Sequence, residues 1–272
     1  MKLFVITFLF SALMLNANNH DKIITDYITA GLAKYSELKD VQVKIISKEP
    51  IHDKKEWSAY IINVSGKEVT KEGEETFTHN SFYFTDGSVV TKDLRNVESH
   101  ERYKETISPK IRKNHYTENN YLFGNKDAKH KVAIFSDPLC PYCIKYIPQI
   151  LDTLKKQPSE YSVYYYHLPL GMHPASKTLV KAYIVLEQKN SPKLNMNKLY
   201  DVEIAASELN EQIILNAFNK VFNTKVTVED ISTKSVLNHY DENLKISTDL
   251  MVRGTPSLFY DGKKDSIGRF LK

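Results

Sequence analysis

The stretch that decides the fold is Lys131-Val132-Ala133-Ile134-Phe135-Ser136-Asp137-Pro138-Leu139-Cys140-Pro141-Tyr142-Cys143. Val132 to Phe135 is a short apolar run of the kind that forms a buried strand, and Ser136-Asp137-Pro138 stops it. A helical pattern begins at the first cysteine. Ile147, Ile150, Leu151 and Leu154 make one apolar stripe, with Lys145, Lys155 and Lys156 off it. Pro148 interrupts this helix and is expected to kink it. With Cys140 at the N-cap, Pro141 falls at the first helical position, where its missing N–H costs nothing and its fixed φ suits the helix. The N–H groups of Tyr142 and Cys143 then point at the Cys140 sulfur. With the positive end of the helix dipole, they are expected to hold its pKa below the ordinary ~8.5. Cys143, three residues on, lies within disulfide reach. On this geometry Cys140 is the attacking thiol and Cys143 the resolving one.

The chain has 2 cysteines in 272 residues. As a staple, so small a loop contributes about 2 kcal/mol, and a chain of this length builds its own cores. The spacing is poor for stability and suited to chemistry. Zinc requires two further ligands, and no second C-x-x-C or H-x3–5-H pair exists. His52, His79 and His100 have no metal-ligand spacing. Covalent haem requires a histidine after the second cysteine, where Ile144 stands. The redox reading therefore leads: no metal, and no cofactor beyond a redox-active disulfide, Cys140–Cys143.

Towards the C-terminus, Tyr161 to His167 is a second apolar strand, giving a strand–helix–strand unit expected to be right-handed. Gly171 to Pro174 breaks the pattern, and His173 there is read as a turn residue, as is Asp137 at the strand-to-helix junction. Helical spacing runs through Leu179–Leu186, Leu199–Ala206 and Ile213–Phe222, with one or two more helices in Val228–Val252. This makes an inserted helical layer over about 174–250. The closing strand, Ser257 to Tyr260, follows Arg253-Gly254-Thr255-Pro256 and ends at an Asp261-Gly262 hairpin turn.

Towards the N-terminus, residues 98–119 form a polar, partly helical linker, and 18–97 a small α+β module. Its helix runs from His20 to about Lys39 on Ile23, Ile24, Tyr27, Ile28 and Leu32. Strands follow at Val41–Ile45, Trp57–Val64 (bounded by Ser65-Gly66), Thr76–Phe84 and Ser88–Thr91, the last two joined at Asp86-Gly87. A small sheet has edges to cover, and pairing with a second copy is one solution. Met1-Lys2, the apolar run Leu3–Leu15 and the small Ala17 describe a signal peptide over residues 1–17. Export places the pair where disulfides persist. The composition, 42% apolar and 26% charged, is that of an ordinary globular protein, and the net charge of +4 is spread without a basic block, so no nucleic-acid partner is expected.

Phe135 to Cys143 resembles the active-site segment of the periplasmic disulfide isomerases of the DsbC/DsbG type, with the DsbG branch closer because it too has Pro-Tyr between its cysteines. Gly254-Thr255-Pro256-Ser257 is similar to that family's cis-proline loop, and Pro148 matches a proline common in this helix of thioredoxin folds. The resemblance implies a thioredoxin-like α/β domain over 120–272 carrying the helical insert. It also implies a cystatin-like N-terminal module that pairs two chains into a homodimer. Cys140 and Cys143 would be catalytic, with Pro141 and Tyr142 the active-site dipeptide. Thr255 and Pro256 would sit beside Cys140, and the Thr255 backbone would pair with an incoming peptide. The implied activity is thiol–disulfide exchange in the periplasm, as isomerase or reductase, on exported proteins with disulfides or free thiols, served by a membrane redox partner. A dimeric DsbA-like oxidase and a periplasmic chaperone binding unfolded chains are the alternatives. The second disulfide of DsbC itself has no counterpart here.

Overall fold

A computed structural model describes residues 20–107, 109–189 and 194–265. The expected signal peptide and whatever follows Asp265 lie outside the described residues. The chain divides into two compact units between Pro109 and Lys110, within the stretch expected to join them. Among the described residues no helix is long and apolar enough to cross a membrane.

The first unit is one helix, α1 (20–32), on a four-stranded antiparallel sheet in the order β1 (Leu38–Pro50), β2 (Ser58–Thr70), β3 (Gly73–Thr85), β4 (Val90–Thr91). Its core joins Ile24 and Ile28 of α1 to Tyr60, Ile62, Val64 and Tyr83 of the sheet, with Val41, Val43 and Ile45 of β1 half-buried at its margin. Three expectations are corrected. The helix ends at 32 rather than near Lys39, because the buried apolar positions stop at Leu32; Tyr35 is exposed, and tight turns from Leu32 to Tyr35 and from Tyr35 to Leu38 lead into β1. Strand β2 does not stop at Ser65-Gly66 but runs to Thr70. A Cβ on Gly66 would come 2.8 Å from the Lys39 carbonyl, where β1 bulges and Asp40 takes φ 52°, so this glycine admits a close backbone approach instead of a turn. Strand β4 keeps only two residues, since the Asp86 carboxylate accepts the Ser88 and Val89 N–H groups, both at 2.9 Å. After β4 a single helical turn, α2 (Tyr103–Thr106), precedes the division.

The second unit has a five-stranded sheet in the order β5 (Tyr121–Gly124), β7 (Tyr161–His167), β6 (His130–Ser136), β8 (Ser257–Tyr260), β9 (Lys263–Lys264). Strands β6 and β7 are parallel and the other pairings antiparallel. Helix α3 (Pro141–Lys155) connects the parallel pair. Period-two alternation serves two cores. Val132 and Ile134 face the α3 stripe Ile147, Ile150, Leu151 and Leu154 together with α4 (Pro174–Gln188) and α5 (Glu211–Phe222). Ala133 and Phe135 face the other way, onto Ile246 of α7 (Lys234–Asp249) and Leu250 beyond its end. Short α6 (Val228–Ile231) completes the helical layer between β7 and β8. One expected helix is absent. Leu199–Ala206 is a 3-10 turn, Met196–Asp201, followed by extended chain; Met196, Leu199, Tyr200 and Val202 are all buried without helical continuation. Asp261 and Gly262, at φ 49° and 78°, make the tight turn from β8 to β9.

Candidate active site

Strand register builds the site. Antiparallel pairing of β6 with β8 sets Phe135 opposite Ser257, so the residues after β6 and those before β8 emerge side by side at one end of the sheet. Cys140 and the Thr255–Pro256 loop, over a hundred residues apart in sequence, thereby become neighbours. The Thr255–Pro256 peptide bond is cis.

Cys140 stands at the N-cap of α3 in extended conformation (φ −70°, ψ 123°), with Pro141 at the start of the helix. The Ile144 N–H closes the first turn on the Cys140 carbonyl at 2.9 Å. The expected capping hydrogen bond is not made, which corrects one element of the sequence reading: the Cys140 thiol instead turns to the Thr255 carbonyl, 3.4 Å away. Pro256 carries no N–H, so the loop presents no backbone donor at that residue. The helix continues through Pro148 to Lys155. Tyr142, between the cysteines, is 66% exposed, whereas Cys143 has no exposure at all. Both thiols are free. Burial pushes the Cys143 thiol up to about 12; the Ser136 and Thr255 hydroxyls and the Asp137 backbone act in the opposite direction.

Behind the pair lie residues that sequence reasoning missed. The Ser136 hydroxyl is 2.7 Å from the Tyr200 hydroxyl, which is 2.6 Å from that of Tyr165. All three are buried, and they come from the end of β6, the inserted layer and β7. Only Tyr165 carried a signal, through its period-two alternation with Val163. Asp137 is also more than a turn former. Its carboxylate has zero exposure and accepts the Leu139 N–H (2.7 Å), the Leu170 N–H (2.7 Å) and the Ser176 hydroxyl (2.6 Å). The fourth contact is His173 Nδ1, at 2.9 Å. His173 thus begins α4 as a turn histidine and also reaches the segment that leads into Cys140.

A thioredoxin-like α/β domain with a C-x-x-C at the start of its first crossover helix, joined to an N-terminal antiparallel sheet with one helix, is the fold and site of a thiol–disulfide oxidoreductase. The family model described as Thioredoxin matches residues 116–266, more than half of the chain, and the chain belongs to that family. Among solved structures, it is similar to a thioredoxin-like oxidoreductase from Silicibacter pomeroyi DSS-3 (19% identity, 57% of this chain and 88% of that one, TM-score 0.47). It is similar also to the catalytic domain of Proteus mirabilis ScsC (23%, 55% and 84%, TM-score 0.44). A third is oxidised BdbD from Bacillus subtilis (13%, 59% and 89%, TM-score 0.48). A search of curated proteins gives no match.

Proposed function

We propose that this chain is a periplasmic disulfide isomerase or reductase acting on exported proteins. The observation that carries the reading is the placement of Cys140 at the tip of α3 against the Thr255 carbonyl of the cis-proline loop, with Cys143 fully buried behind it. The two thiols then have unequal roles. Cys140 attacks a substrate disulfide as the thiolate; its sulfur bonds to one substrate sulfur and the other leaves with the electron pair. Cys143 then attacks Cys140, closes the Cys140–Cys143 disulfide and releases the second substrate sulfur as a thiol. In isomerisation the substrate's own thiol makes that last attack and the pair stays reduced. Burial of Cys143 favours isomerisation, because a thiol held near 12 is slow to form the thiolate that would end the encounter. Thr255 and Pro256 form the surface on which the substrate backbone lies, and Pro141 and Tyr142 present the exposed rim of the pair. No cofactor beyond the pair takes part, and a membrane redox partner restores its reduced state. Residues 1–17 direct export, and the thirteen-residue edge strand β1 supports a homodimer formed through the N-terminal sheet.

The test is Cys143→Ala expressed in the native periplasm. Mixed disulfides between Cys140 and exported proteins are expected to accumulate; normal expression without any trapped species would overturn the reading. Thiol alkylation of the wild-type pair in the cell separates direction, since a pair found mostly oxidised would replace isomerase by the DsbA-like oxidase.

A further inference from the structure

The buried hydroxyls have no part in holding a substrate, yet they end at the resolving cysteine. Ser136, Tyr200 and Tyr165 form a chain of two short O···O contacts, 2.7 and 2.6 Å, closed off from water. Cys143 packs with Tyr165 and Tyr200 in one buried cluster, and the Ser136 hydroxyl at the near end of the chain is set to act on its sulfur. The Thr255 hydroxyl, also buried, is a second group that can act on the same sulfur. Among the described residues no buried carboxylate hydrogen-bonds these hydroxyls; the one at hand, Asp137, is occupied by the Leu139, Leu170, Ser176 and His173 donors. Each hydroxyl has one proton and can either give or accept. The chain therefore has two consistent orientations. While Cys143 is a thiol, its S–H can donate to Ser136 and the dipoles run towards Tyr165. When Cys143 is a thiolate, Tyr165 donates to Tyr200, Tyr200 to Ser136 and Ser136 to the sulfur, so every O–H points at the new charge. In a dry interior such aligned donors reinforce one another and act far more strongly than in water.

We infer that Ser136, Tyr200 and Tyr165 form a reversible hydroxyl chain that positions donors on the Cys143 sulfur and sets the rate at which Cys143 resolves the Cys140 mixed disulfide. The inference rests on the proposed thiol–disulfide exchange and names what regulates its second step. That step balances as follows. The Cys143 sulfur bonds to the Cys140 sulfur, the bond from Cys140 to the substrate sulfur breaks, and that sulfur takes the electron pair and then the proton Cys143 gave up. The chain supplies dipoles and no net proton. Tyr200 belongs to the inserted layer, so the insert tunes the active site as well as covering it.

The test uses the full chain reduced and mixed with 5,5′-dithiobis(2-nitrobenzoate), whose coloured thiolate is released once when Cys140 attacks and again when Cys143 resolves. Tyr200→Phe keeps the ring and removes one oxygen. The expected result is a first release at the wild-type rate and a second release slowed severalfold, because the donor that backs Ser136 is lost. The pH profile of the second step should also move to higher pH. Ser136→Ala, which removes the hydroxyl facing the sulfur itself, should slow the second release about tenfold, and serves if Tyr200→Phe does not fold. A second release at the wild-type rate with an unmoved pH profile would overturn the inference, and so would equal slowing of both releases, the mark of a general structural effect. Wild-type protein that releases no thiolate at all would instead remove the proposed function, and the inference with it.

Discussion

A carboxylate withdrawn completely from water costs several kcal/mol unless donors replace its hydration. At Asp137 two backbone N–H groups, one hydroxyl and one imidazole do so, and they come from three segments that must be fixed for Cys140 to be fixed. Leu139 precedes the cysteine, Leu170 follows β7, and His173 and Ser176 begin α4. Asp137→Ala would leave the Leu139 and Leu170 N–H groups buried and unpaired, for an expected loss of about 3–5 kcal/mol. Asp137→Asn keeps one acceptor oxygen but sets an NH2 against a donor, for about 1–2 kcal/mol. Urea denaturation of both variants checks the order. Equal and small losses would show that the carboxylate is dispensable to the turn. The sequence placed Asp137 correctly in a strand-to-helix turn, but three of its four partners lie more than thirty residues on, and no local pattern encodes them. The same holds for Cys140. Its N-cap position was legible from Pro141, whereas the direction of its sulfur was not, because the competing acceptor, the Thr255 carbonyl, arrives by strand pairing.

At the scale of elements, the strands and helices that carry strong periodicity were legible, and the misses have a common cause. Strands β6 and β8 and the α3 stripe follow from residue spacing alone. Leu199–Ala206 has helical spacing yet folds as a 3-10 turn and extended chain, since burial of Leu199, Tyr200 and Val202 against α3, α4 and α5 outweighs local propensity. Strand β2 runs through Gly66 because a bulge in the neighbouring strand needs a residue without a Cβ there. The packing of α7 leads to a pH dependence. His239 of α7 and His115, which precedes β5, are both held below the ordinary histidine range, chiefly by burial. Facing His239 are Glu187 of α4, His167 at the end of β7 and Glu242 one turn along α7; the glutamates oppose the shift and His167 adds to it. Facing His115 are Asp249, which opposes the shift, and Arg112 and Lys245, which add to it. A lowered folded pKa means that the unfolded chain binds more protons as the pH falls through about 6.5, so this part of the stability is present above that value and is lost below it. The urea midpoint is expected to fall between about pH 7 and about pH 5. The fall should be shallower in His239→Gln, which cannot charge. Parallel curves for the two proteins would mean that His239 is not a source of the acid sensitivity.

For the whole molecule, the sequence conveyed two kinds of unit but could not say how many copies assemble, because an edge strand has the same alternation whether it faces solvent or a second chain. Strand β1 is as long as its neighbour β2, lies at the edge of the sheet, and carries its half-buried Val41, Val43 and Ile45 towards α1. A long edge of this kind is either protected by charge and twist or used for pairing. Here Lys39, Lys44 and Lys48 punctuate it, and the bulges at Lys39/Gln42 and Ile45/Ser47 twist it, which disfavours indiscriminate pairing. A two-fold pairing can match such a bulged edge to itself, since each copy then presents the same irregularity to the other. The expected outcome is therefore a discrete dimer. Light scattering of the full chain lacking residues 1–17 should give twice the chain mass at micromolar concentration. Hydrogen exchange should locate the contact: exchange in β1 is expected to slow as protein concentration rises, while β2, already paired on both sides, stays unchanged. A single-chain mass throughout, with β1 exchange independent of concentration, would leave the active site solitary and remove the N-terminal sheet from any role in pairing it.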